Sequence, residues 1–155
     1  MIGGTITATP AITATPIGDA NMESLAAALR AEDLPTDDLQ EGGKRFFCFQ
    51  GSGRDIGYAG LELCGPDALL RSIVTSPDAR GAGHGRDIVS WLAAYAATRG
   101  VRRLYLLTKT AEGFFTKQGF TPVPREAAPD AIRKTREFAS LCPATAVLMS
   151  REVGP

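Results

Sequence analysis

The chain has 155 residues, 44% hydrophobic and 22% charged, with a formal net charge of +0, the size and balance of one globular domain that buries a core of its own. No apolar run approaches the roughly 20 residues of a membrane-spanning helix, and Met1-Ile-Gly-Gly-Thr-Ile-Thr carries no basic leader, so a soluble cytoplasmic protein is expected, with no membrane partner. Three cysteines, Cys48, Cys64 and Cys142, are too few and too widely spaced for a disulfide framework, and no CxxC or paired histidine supports a zinc site, so reduced thiols and no metal are expected.

Ile-Thr-Ala-Thr-Pro occurs twice, at 6–10 and 12–16, each copy closed by a proline that cannot extend a central strand. Residues 1–10 are expected as a loose tail, 11–151 as a single domain that opens on an edge strand, and 152–155 as a second tail. Asp19 or Asn21 can cap a helix to about Arg30, in which Met22, Leu25, Ala26 and Leu29 recur at helical spacing. Leu34-Pro35 ends it, and Thr36-Asp-Asp-Leu reads as a short capped turn or helix. Phe46–Gln50, Ile56–Leu63 and Leu69–Thr75 are apolar or alternating runs separated by Gly-Ser-Gly and Cys-Gly-Pro-Asp, which predicts an antiparallel meander.

Ser76-Pro77 breaks the ladder, and a glycine-rich turn opens a helix from about Gly83 to Thr98 with Ile88, Val89, Trp91, Leu92 and Ala96 on its apolar side, closed by Gly100. A strand over Arg103–Thr108, a short helix over Ala111–Gln118 and a strand over Phe120–Val123 follow. A helix from about Pro129 to Ala139 precedes a last strand from Thr145 to Arg151. Residues 71–136 hold twelve Lys or Arg against five acids, and residues 1–70 lean the other way. The basic half suits a small polyanion, or is simply a solvated face. It lacks the aromatic platforms and basic runs of a nucleic-acid binder, so no nucleic-acid partner is expected.

The chemistry centres on Leu69-Leu-Arg-Ser-Ile-Val-Thr75, Ser-Pro-Asp-Ala, and then Arg80-Gly81-Ala82-Gly83-His84-Gly85-Arg86 opening a helix. Glycines let backbone amides converge, and the first helical N–H groups have no intrahelical partner, so an anion belongs there. The dinucleotide fingerprint fails because Arg86 stands where a third glycine is needed, and the P-loop fails for want of Gly-Lys-Ser/Thr. A turn that merely joins strand to helix is the competing structural reading.

Arg80-x-x-Gly83-x-Gly85 after Val-Thr-Ser-Pro resembles the acetyl-CoA motif of the GNAT acetyltransferase superfamily, and Ala111-Glu-Gly-Phe-Phe-Thr-Lys-Gln-Gly-Phe120 resembles its second signature. The resemblance covers roughly residues 11–151. It implies an α/β fold of the α+β type, a twisted, mostly antiparallel mixed sheet with a central splay and helices on both faces. It further implies acetyl-CoA as cosubstrate and N-acetylation of the primary amine of a small molecule by direct attack in a ternary complex. By the same resemblance Ile73, Val74 and Thr75 would pair with pantetheine, the N–H groups of Gly81 to Arg86 would hold the pyrophosphate, and Phe114, Phe115 and Lys117 would line the coenzyme. Homodimerisation, common in the superfamily, is an implied expectation.

Leu70-Arg-Ser-Ile, Tyr105-Leu-Leu-Thr, Thr110-Ala-Glu-Gly-Phe-Phe and Phe138-Ala-Ser-Leu-Cys-Pro-Ala resemble the arsenic-resistance N-acetyltransferase branch, whose relatives acetylate arsenical or phosphinic amino acids. Many superfamily members carry a tyrosine that protonates the leaving thiolate, and Phe115 stands at that position. Thr108, Thr110 or a water would then donate. A backbone N–H near Val74, beside a strand bulge, is the expected oxyanion donor if the family geometry holds. Glu62, opposite in face to Leu61 and Leu63, is the expected base or else an ordinary solvent-facing glutamate. Arg71 and Ser72 are polar residues in an apolar strand. Arg71 suits a substrate carboxylate, arsonate or phosphinate, or a structural salt bridge to the acidic first half. Cys142 is a candidate soft ligand for trivalent arsenic, especially with Cys48 or Cys64 nearby, or a small buried hydrophobe. The alternative to an enzyme is a non-catalytic acetyl-CoA-binding or arsenical-sensing module.

Overall fold

Strands with one apolar face and connections rich in glycine and proline assemble into a seven-stranded sheet. The computed structural model describes residues 12–34, 36–37, 39, 43–51, 53–76, 83–141 and 145–153. Arg80, Gly81, Ala82, Cys142, the expected tail 1–10 and residues 154–155 of the expected tail 152–155 lie outside the described residues, as does part of the turn expected after Pro35, while Glu152 belongs to the last strand. The strands are β1 (Ile12–Pro16), β2 (Lys44–Gly51), β3 (Arg54–Cys64), β4 (Asp67–Thr75), β5 (Arg103–Thr108), β6 (Thr121–Pro122) and β7 (Val147–Glu152). They lie in the order β1-β2-β3-β4-β5-β7-β6. Every pair is antiparallel except β4 with β5.

Helix α1 (Met22–Ala31) follows a 3-10 turn over Asp19–Asn21, and Asn21 at its N-cap makes no side-chain capping bond. Helix α2 (His84–Thr98) ends where the Val101 N–H reaches back to the Ala96 carbonyl at 3.0 Å. Its Ile88, Val89, Leu92 and Ala96 bury one face of the sheet against Phe47, Phe49, Leu61 and Leu104. Trp91 stacks on Tyr95 at 5.3 Å and meets Phe47 edge-on, so it packs at the margin of this core. On the other face α1 seats Leu25 and Leu29 against Phe46 and Val74. Ile132, from the single turn α4 (Asp130–Arg133) that follows the short helix α3 (Glu112–Lys117), packs with Leu69, Tyr105 and Leu148.

The helix expected from 129 to 139 is therefore divided. Thr135 breaks it: its hydroxyl donates to the Ile132 carbonyl at 2.7 Å and accepts the Phe138 N–H at 3.2 Å, in competition with the helical ladder. The chain resumes as a π-helical turn over Glu137–Leu141. The strand expected over Phe120–Val123 shrinks to Thr121–Pro122, since Pro122 and Pro124 have no N–H to donate. The last strand begins at Val147 rather than Thr145.

Two features open the sheet at its centre. The parallel pairing of β4 with β5 runs only from Asp67↔Arg103 to Leu69↔Tyr105, and beyond it the two strands separate. On its other side β4 carries a bulge: Tyr58 pairs with Val74 and Gly60 with Arg71, so Ser72 and Ile73 together oppose Ala59. Ser72 adopts φ +59°, in the left-handed region. Gly57 makes the register tolerable, because a Cβ there would lie 2.3 Å from the Val74 carbonyl oxygen. Among the described residues no helix is long and apolar enough to cross a membrane.

Candidate active site

The gap between the diverging halves of β4 and β5 is a cleft of about 990 Å³, at the upper end of the ~300–1,000 Å³ of small-molecule sites. One wall is β4 from Leu70 to Thr75 and the other is β5 from Leu106 to Thr108. Gly83, His84, Gly85 and Arg86 close one end, and Phe114, Phe115 and Gln118 of the α3 segment line the side. Of the residues expected to act, Arg71, Ser72, Ile73, Val74, Thr75, Gly83, His84, Gly85, Arg86, Thr108, Phe114 and Phe115 line this one cleft. Lys117 is exposed on α3 and does not line it, and neither does Glu62.

The α2 end of the cleft has the polarity of an anion site. Gly83 is the N-cap, at φ 80° and with no side-chain capping bond. The first intrahelical bond runs from the Asp87 N–H to the Gly83 carbonyl at 3.2 Å, so the N–H groups of His84, Gly85 and Arg86 have no partner within the helix. A macrodipole of about half a positive charge sits at the same end. His84 Nδ1 is buried there and makes no hydrogen bond among the described residues, a polar atom that fits a ligand in the cleft.

The side walls are largely apolar. Phe115 is buried and packs edge-on against Phe114 and Phe120 at 5.0 and 5.8 Å, and it brings no hydroxyl to the cleft. Thr108 does, although its Oγ1 already accepts the Ala111 N–H at 3.0 Å and thereby anchors the start of α3. A threonine hydroxyl used as an acceptor still has a proton to donate.

At the opposite end the cleft meets a row of buried charge. Lys44 Nζ lies 3.8 Å from Glu62 Oε2, Arg71 Nη1 lies 3.7 Å from Glu62 Oε1, and Arg71 Nε lies 3.4 Å from Glu137 Oε1. Arg71 Nε also donates to Ser72 Oγ at 3.3 Å. The salt bridge from Arg71 to the first half of the chain is thus present, and Arg71 lines the cleft as well. Glu62 is neither solvent-facing nor on the cleft wall; it joins Lys44 to Arg71. Glu137, which the sequence reading did not single out, does line the cleft and is 4% exposed. It lay hidden in a stretch expected to be continuous helix, and the one available signal was a lone acid between Arg133-Lys134-Thr135-Arg136 and the apolar Phe138-Ala139.

Cys48 and Cys64 do not converge. Cys48 pairs with Tyr58 of β3 and Cys64 lies six residues further along that strand, a separation of about 20 Å at ~3.3 Å per residue. Burial, then the neighbouring Asp55 carboxylate, pushes the Cys48 thiol up to about 11. Burial, then Glu62, does the same for Cys64. No group of three or more His, Cys, Asp or Glu among the described residues is placed to hold a metal.

Residues 42–122 match the domain family described as acetyltransferase (GNAT) domain. The chain is 34% identical over 69 residues to an amino-acid acetyltransferase of Salmonella typhi, a stretch that is 44% of this chain and 16% of that protein. The chain thus spans only about a sixth of that relative. In fold it is similar to the N-acetylglutamate synthase of Neisseria gonorrhoeae complexed with coenzyme A and N-acetyl-glutamate, with TM-score 0.79, 19% identity and coverage of 98% of this chain and 37% of that one. It is also similar to an acetyltransferase of the GNAT family from Staphylococcus aureus, with TM-score 0.71, 16% identity and coverage of 92% and 99%.

Proposed function

Because the chain belongs to the acetyltransferase (GNAT) domain family, we propose that it is an acetyl-CoA-dependent N-acetyltransferase whose acceptor is the primary amine of a small molecule, an α-amino acid in the first instance. The observation that carries this reading is the opening of the uncapped α2 N-terminus and of the bulged half of β4 onto one cleft. The amino-acid acceptor is supported by the Salmonella typhi relative and by the N-acetyl-glutamate bound to the Neisseria gonorrhoeae enzyme.

In this reading the amides of His84, Gly85 and Arg86, continued by Arg80, Gly81 and Ala82, take the pyrophosphate. The backbone of Ile73 to Thr75, free of β5, pairs with the pantetheine arm, and Phe114 and Phe115 flank it. The amine lone pair attacks the thioester carbonyl carbon, the C–N bond forms and the C–S bond breaks. The Val74 N–H receives the charge on the carbonyl oxygen. The departing thiolate, with an unperturbed pKa of about 8.5, takes up the proton that the acylated nitrogen releases, relayed by the Thr108 hydroxyl or by water. Glu62 acts at one remove, by holding Arg71.

Calorimetric titration with acetyl-CoA, followed by mass measurement of amine products, tests this. Saturable binding and an acetylated amino acid are expected, and absence of acetyl-CoA binding refutes the reading. Phe115, where many members carry an acidic tyrosine, favours a second reading as a non-catalytic acetyl-CoA-binding or arsenical-sensing module. Binding without turnover on any amine, phosphinic and arsenical amino acids included, would select it.

A further inference from the structure

The buried charges at the end of the cleft away from α2 alternate in sign, Lys44, Glu62, Arg71, Glu137, and run from β2 through β3 and β4 to the π-helical turn. Lys44 and Glu62 lie away from the cleft, whereas Arg71 and Glu137 line it. Glu137 therefore brings a buried carboxylate, already paired with Arg71, to the cavity wall. We propose that Glu137 is the residue that receives the ammonium group of an α-amino acid acceptor, with Arg71 as the residue that positions it. This rests on the acetyltransferase reading of the same cleft.

Three observations converge on it. Glu32, Asp33 and Glu137 are the carboxylates on the cleft wall among the described residues. The first two are exposed, and Glu137 is 4% exposed. A carboxylate shielded from water binds a cation far more strongly than one on the surface. Glu137 is also held in place: Thr135, 5% exposed, fixes the turn through the Phe138 N–H to its hydroxyl and the Ala139 N–H to its carbonyl, at 3.2 and 2.9 Å. A π-helical turn of this kind is a common way to aim a side chain into a site. Finally, Arg71 bears on Oε1 of Glu137 from the point where β4 leaves β5. A carboxylate accepts about four hydrogen bonds, so a cation on one edge orients it for an ammonium on another. An added cation continues the alternation, while the carboxylate of a zwitterionic acceptor keeps the site's net charge unchanged. The role assigned is binding and orientation, and no proton step is assigned to Glu137.

The test compares L-glutamate with L-2-hydroxyglutarate, which differ in the ammonium group alone, titrated into the coenzyme A-loaded protein. The wild-type chain is expected to prefer L-glutamate by at least about tenfold, the scale of a charged hydrogen bond. Glu137→Gln is expected to bind the two within about threefold while its coenzyme A affinity stays as in wild type. Because Glu137→Gln leaves Arg71 with one carboxylate fewer, Glu137→Asp is measured beside it. This variant keeps the charge but withdraws it by one methylene, and is expected to lower the preference several-fold without moving coenzyme affinity. Preference unaltered in both variants, or absent from the wild type, overturns the assignment. Failure of the wild type to bind coenzyme A overturns the acetyltransferase reading instead.

Discussion

Ser72 holds its backbone at φ +59° in the middle of a strand, a conformation that costs a residue with a Cβ roughly 1–2 kcal/mol. The strain turns β4 at the bulge and gives Ile73 to Thr75 a course away from the ladder. Ser72→Gly is expected to change unfolding free energy by less than about 1 kcal/mol, since relief of strain offsets the lost Arg71 contact, while Ser72→Val, stiff at χ1, costs about 2 kcal/mol or more in urea denaturation. The sequence marked Ser72 and Arg71 as polar residues within Leu69-Leu-Arg-Ser-Ile-Val, but which of them faced the cleft was not legible, because the bulge brings both to it. Cysteine chemistry was legible only as reduced thiols. With Cys48 and Cys64 raised from 9.0 to about 11 in the fold, both stay protonated at neutral pH. The unfolded chain releases these protons first, so their contribution to stability is complete below about pH 9 and is lost as pH rises towards 11. Iodoacetamide alkylation at Cys48 and Cys64 of the native protein, followed by peptide mass spectrometry, should be slow near pH 8 and should quicken only as pH approaches 11, in step with a falling denaturation midpoint.

At the scale of elements, α2 and its approach were the most readable part of the chain. Gly83, His84 and Gly85, with Ile88, Val89, Leu92 and Ala96 behind them, fix both the start of the helix and its buried face. Gly83→Ala places a Cβ at φ 80° and 3.0 Å from the Arg86 guanidinium. Acetyl-CoA affinity, measured by calorimetry, is expected to fall about five- to thirtyfold, the equivalent of the ~1–2 kcal/mol of left-handed strain. The segment between β6 and β7 was the least readable. Helical spacing in Asp130, Ile132, Arg133 and Glu137 is genuine, yet Thr135 turns its hydroxyl onto the backbone and replaces a continuous helix by α4 and a π-helical turn. A side chain that competes with the ladder leaves no periodic trace, and for that reason Glu137 escaped notice.

Across the whole molecule, the row of Lys44, Glu62, Arg71 and Glu137 ties β2, β3 and β4 to the π-helical turn between the α1 and α4 cores. The sequence announced the strands, and the family resemblance the splay, but neither announced this row, because its members are 93 positions apart at the extremes (137 − 44) and only the sheet register and the π-helical turn bring them together. Arg71→Met leaves two carboxylates without their shared cation and is expected to destabilise the fold by about 3–5 kcal/mol in urea titration. Ordinary exposed pairs such as Arg30 with Glu23 should be worth no more than about 1 kcal/mol. On the proposed reading, the amides of α2 form the coenzyme end of the cleft and Glu137 its acceptor end. The most direct test of that division is coenzyme A thiol release from acetyl-CoA across a panel of L-amino acids, polyamines and phosphinic and arsenical amino acids. Thiol release that depends on an amino acid, with the acetyl group found on its nitrogen, is the predicted result. Acetyl-CoA that neither binds nor yields thiol with any amine would contradict it.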